Sequence, residues 1–164
     1  EPALQYNALR GCGRDGECHI VSTLADGALM WEAFNDKLQK KFKLIRDNEE
    51  RWESYQVEDA DLVLVAYGSM ARVCIDAMEM AREEGLKVGL VRPITLWPFP
   101  TDAVKRAAAQ AKNLLVVEMS MGQMVDDVRL AVNGAVPVEH YGRTGGAVYT
   151  PDQVYEALKN KIIK

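Results

Sequence analysis

The chain has 164 residues, of which 48% are hydrophobic, enough for one domain with a sizeable core. Its formal net charge is -4, and its basic residues, Lys37, Lys40, Lys41 and Lys43 among them, are no denser than on an ordinary solvated helix face. That balance argues against a nucleic-acid partner, and the longest apolar runs, Leu62–Tyr67 and Leu114–Val117, are too short to span a membrane.

Residues 1–27 carry Pro2, Gly11, Gly13, Gly16 and Gly27, and they read as an extended arm in which only Cys18–Leu24 has the character of a short strand. Cys12, Cys18 and Cys74 form no CxxC pair, and with His19 and His140 they offer no spacing for a metal site. An odd thiol count with no leader predicts a reduced, cytoplasmic protein, and the Glu-Pro start predicts a domain cut from a longer polypeptide.

From Ala28 to about Tyr55, Leu29, Trp31, Phe34, Leu38, Phe42 and Ile45 recur at helical steps, which predicts an amphipathic helix with a break near Asp47-Asn48. Residues 1–57 are thus expected to form an arm and linking helix, and residues 58–164 an α/β domain. DLVLVAY is apolar throughout, as a strand covered on both faces should be. Ser69 is the predicted N-cap of a following helix whose apolar stripe (Val73, Ala77, Met80, Ala81) runs until Gly85 stops it. KVGLVRP is a second strand, and Thr101-Asp102 is expected to cap a helix reaching about Lys112. NLLVVEM, a helix over GQMVDDVRLAV, and the strand VPVEHYG follow. After the loop RTGGAVYTP, Pro151 opens a last helix.

Alternating buried strands and helices predict a mostly parallel sheet with helices on both faces, a three-layer α/β/α arrangement. Right-handed crossovers bring the carboxyl ends of the strands to one edge, where Gly68-Ser69, Arg92, Glu118–Gln123 and Gly142–Gly146 would meet.

Three features of that edge are candidates. YGSMAR has the strand–glycine–helix order of a nucleotide site. It lacks the second glycine of G-x-G-x-x-G, however, because Met70 stands there, and no G-K-[ST] follows. An architectural corner fits better, although its amides could still face an anion or a partner's carboxylate. In EMSMGQMVDDVRLAV, Gly122 permits a tight turn and Gln123 projects toward the crevice. Asp126 and Asp127 suit the helix dipole better than acid/base chemistry, and Met119, Met121 and Met124 suit a core or an interface. In HYGRTGG, Arg143 among glycines fits either an anion contact or an ordinary loop, while His140 has no nucleophile beside it in sequence and is not read as catalytic.

Taken in order, EDADLVLVAYGSMARVCIDAMEMAREEGLKVGLVRPITLWPFP, VVEMSMGQMVDDVRLAV, HYGRTGG and TPDQVYEAL resemble the C-terminal domain of the alpha subunit of 2-oxoacid:ferredoxin oxidoreductases of the 2-oxoglutarate and 2-oxoisovalerate type. The resemblance covers residues 58–160 and implies a transketolase C-terminal-domain-like fold with one antiparallel edge strand, for which Cys18–Leu24 is the candidate. It also implies that the complete enzyme converts a 2-oxoacid and coenzyme A to acyl-CoA and carbon dioxide while reducing ferredoxin. Thiamine diphosphate with Mg and iron–sulfur clusters would serve that enzyme. No cofactor is expected within this chain, which has neither a G-D-G motif nor a cysteine run for a cluster. The implied role is noncatalytic assembly with the other domains and the beta subunit, with Gly68, Ser69, Gln123 and Arg143 as contacts to those domains or to coenzyme A. A stand-alone nucleotide- or anion-binding domain and a protein-interaction module are the alternatives.

Overall fold

The structure, a computed structural model, describes residues 28–162. The chain divides into two compact units, Glu1–Lys43 and Leu44–Lys164. The first contributes most of helix α1 (Ala28–Glu49), which has no buried residue. The Cys18–Leu24 strand expectation, and Cys12, Cys18 and His19 with it, lie outside the described residues.

The second unit is a five-stranded sheet in the order β1-β3-β2-β4-β5. Its strands are β1 (Trp52–Tyr55), β2 (Leu62–Ala66), β3 (Val88–Pro93), β4 (Asn113–Glu118) and β5 (Val138–Gly142). Strands β3, β2, β4 and β5 are mutually parallel, and β1 pairs antiparallel with β3, Trp52 opposite Pro93. The predicted fold class, a three-layer α/β/α unit with a mostly parallel sheet, is therefore what forms.

The antiparallel edge strand comes from an unexpected place. Helix α1 stops at Glu49 instead of running to Tyr55, and Trp-Glu-Ser-Tyr extends as β1. Burial along β1 alternates with a period of two, Glu53 and Tyr55 being the half-buried pair. Aromatic residues at both ends favour a strand, and Arg92 of β3 holds Glu53 at 2.8 Å across the pair.

Period two also sorts the core. Leu62, Leu64 and Leu115 pack against α2 (Gly68–Glu83) and α5 (Pro151–Ile162) on one face. Val63, Val65, Leu114 and Val116 pack against α3 (Thr101–Ala108) and α4 (Met124–Val132) on the other. Burying a leucine such as Leu64 contributes about 2 kcal/mol.

Several helix ends differ from expectation. The N-cap of α2 is Tyr67, with no side-chain cap bond, so Ser69 is not the cap. Pro100 precedes α3, which ends at Ala108, well short of Lys112. At its C-terminus α2 closes as predicted around Gly85: the Leu86 amide donates to Ala81 O at 3.0 Å and the Gly85 amide to Arg82 O at 2.9 Å.

Candidate functional site

Chain order reverses at β2. The crossover through α2 goes one way to β3, and the next returns past β2 to β4. In open α/β sheets the crevice at such a switch, outside the carboxyl ends of the strands, is where ligands and partners are met. The turn after β2 (Gly68-Ser69) and the turn after β4 (residues 119–123) flank it.

Gly68 has φ +58°, a left-handed conformation that suits glycine, and it turns the chain sharply from β2 into α2. Gly68 and Ser69 are exposed, whereas Met70, two residues on, is buried in the core. A dinucleotide fingerprint needs open space at that position, and here a thioether fills it.

The β4–α4 corner is organised by Glu118. This carboxylate is 0% exposed and yet well satisfied. It accepts the amides of Gln123 (3.2 Å), Met124 (3.1 Å) and Val125 (3.2 Å) and the hydroxyl of Ser120 (2.9 Å). The Ser120 hydroxyl in turn accepts the Gly122 amide at 3.2 Å. The positive end of α4 is thus filled by the chain's own carboxylate. From β5, His140 brings Nε2 to 3.3 Å from Glu118 Oε1, out of line for a hydrogen bond, with its side chain 22% exposed. The two groups therefore meet by proximity and not through a hydrogen bond. Gly142, next on that side of β5, leaves room for the pair: a Cβ there would collide with the His140 ring and the Ser120 carbonyl oxygen. Desolvation first, then the neighbouring Asp126 and Glu118 carboxylates, raises the Asp127 carboxyl above the ordinary aspartate value.

Helix α4 begins at Met124, with Gln123 as its N-cap and exposed at the rim of the crevice. Arg143 is half-buried, in contrast to a free surface charge. Its Nη1 donates to Val148 O at 3.2 Å and to Gln153 Oε1 at 3.4 Å, and its guanidinium lies 4.5 Å from the centre of the Tyr149 ring, which itself stacks on Tyr141 at 4.3 Å. Topology thus brings Gly68, Ser69, Gln123 and Arg143 to one edge, though none of the side-chain hydrogen bonds of the described residues joins one of them to another.

Sequence reasoning passed over two things here. Glu118 was visible only as the end of a strand, although a glutamate closing an apolar strand six residues before a helix is a signal of a buried capping carboxylate. The second is the extent of an apolar rim, of which only Met119 and Met121 stand out in the sequence as core or interface residues. Of the twelve large hydrophobic residues exposed among the described ones, six sit on three loops of this edge. They are Ile94, Leu96 and Trp97 after β3, Met119 and Met121 after β4, and Val148 after β5.

The described residues do not suit the cofactors that the resemblance implies for the complete enzyme. No three His, Cys, Asp or Glu side chains among them gather so as to hold a metal ion, and Cys74 is a lone core thiol pushed up to about 12 by burial. No step of chemistry is therefore assigned to an iron–sulfur cluster or a metal-bound diphosphate on these residues. No helix among them is long and apolar enough to cross a membrane.

Known proteins agree with this geometry. Residues 60–154 match pyruvate:ferredoxin oxidoreductase core domain II. The ketoisovalerate oxidoreductase subunit VorB of Methanothermobacter thermautotrophicus is 46% identical over 78% of this chain and 36% of its own length. The 2-oxoglutarate synthase subunit KorA of Methanothermobacter marburgensis is 35% identical over 75% of this chain and 32% of its own. A 2-oxoglutarate:ferredoxin oxidoreductase from Magnetococcus marinus, solved with 2-oxoglutarate, coenzyme A and succinyl-CoA bound, superposes with TM-score 0.75. It is 26% identical, and the match covers 93% of this chain and 26% of that one. A split gene transketolase shares the fold, with TM-score 0.57 at 20% identity over 67% of this chain and 40% of that one. The chain belongs to the pyruvate:ferredoxin oxidoreductase core domain II family. It spans about a third of the length of the curated relatives it matches.

Proposed function

We propose that this chain is a noncatalytic assembly domain of a 2-oxoacid:ferredoxin oxidoreductase in the cytoplasm. The complete enzyme would take a 2-oxoacid and coenzyme A to acyl-CoA and carbon dioxide, pass the electrons to ferredoxin, and carry thiamine diphosphate, Mg and iron–sulfur clusters on its other domains and beta subunit. The observation that carries this reading is the corner at the switch point. The α4 amides that could cradle a phosphate are spent on Glu118, so the crevice offers side chains and apolar loops in place of a nucleotide site. Gly68, Ser69 and Gln123, all exposed, touch the neighbouring domains or coenzyme A, and Arg143 takes part through the loop it holds in place. The identities with VorB and KorA support the choice of enzyme.

The test is an assay of coenzyme A-dependent oxidation of 2-oxoisovalerate and 2-oxoglutarate, read by viologen reduction. It compares the full-length subunit reconstituted with its partner and the 164-residue chain alone. Turnover is expected only from the reconstituted enzyme. Turnover by the lone chain would overturn the noncatalytic role, and a reconstituted enzyme inert toward every 2-oxoacid would overturn the assignment.

A further inference from the structure

We draw no further inference here: the strongest candidate, the groove between β5 and α5 lined by Tyr141, Asp152, Gln153 and Glu156, rests on exposed carboxylates alone, and nothing in the structure points to what would fill it.

Discussion

The two edges of the sheet are built from the same alternation of strand and helix, yet they are finished differently. At the amino edge the turns close on themselves. Arg82 binds Asp59 at 2.7 Å and the carbonyls of Gln56 and Val88 at 2.7 and 2.6 Å, Lys112 meets Asp61 at 3.0 Å, and the Asp61 amide donates to Lys87 O at 2.8 Å. None of the large exposed apolar residues of the described chain lies on those turns. At the carboxyl edge Glu118 and Arg143 draw hydrogen bonds inward, and large apolar side chains such as Met121 and Val148 are exposed. One edge closes on its own polar groups and the other leaves large apolar side chains exposed, a difference that a shared topology does not dictate.

The contrast can be broken most forcefully at Glu118. Glu118→Ala leaves three helix amides and a hydroxyl without their acceptor in a buried site, and should cost about 3 kcal/mol in urea unfolding. Glu118→Gln keeps one acceptor oxygen and should cost less. Gly142→Ala pushes a methyl into His140 and the Ser120 carbonyl and should cost about 2 kcal/mol, read in the same way. Arg143→Ala removes a half-buried clasp and should cost about 1 kcal/mol, visible as faster amide exchange across residues 143–150.

The smallest effect belongs to the amino edge. A hydrogen bond from Arg82 holds the Asp59 carboxyl below the ordinary aspartate value. Its contribution to stability is present above the unfolded-state pKa and is lost as pH falls through the lower folded value. Asp59→Asn should therefore lower stability slightly at neutral pH, where the contribution is present, and converge with the wild type at acid pH, which flattens the acid limb of the stability–pH curve. A steeper acid limb in the variant would contradict the sign.

Much of the fold was legible because periodicity reports burial. The all-apolar strands and the stop at Gly85 follow directly from the residues. Trp52–Tyr55 was lost inside a helix because Trp52 and Tyr55 continue the three-residue apolar spacing of α1, and only pairing with β3 reveals the other period. Ser69 and Thr101 looked like caps by residue type, but a cap is an observed bond and neither side chain makes one to its helix. At the site, the missing second glycine was readable from the chain. The Glu118–His140 pairing was not, because it joins two strands 22 positions apart in sequence.

The difference between the edges is tested most directly by assembly of the full-length subunit with its partner, followed by sedimentation velocity for matched variants at each edge. Met121→Asp and Val148→Asp should leave the melting temperature of this chain nearly unchanged and weaken assembly at least tenfold, whereas Lys112→Glu at the amino edge should leave assembly at its wild-type value. Wild-type assembly by both carboxyl-edge variants, or a loss confined to Lys112→Glu, would contradict the account.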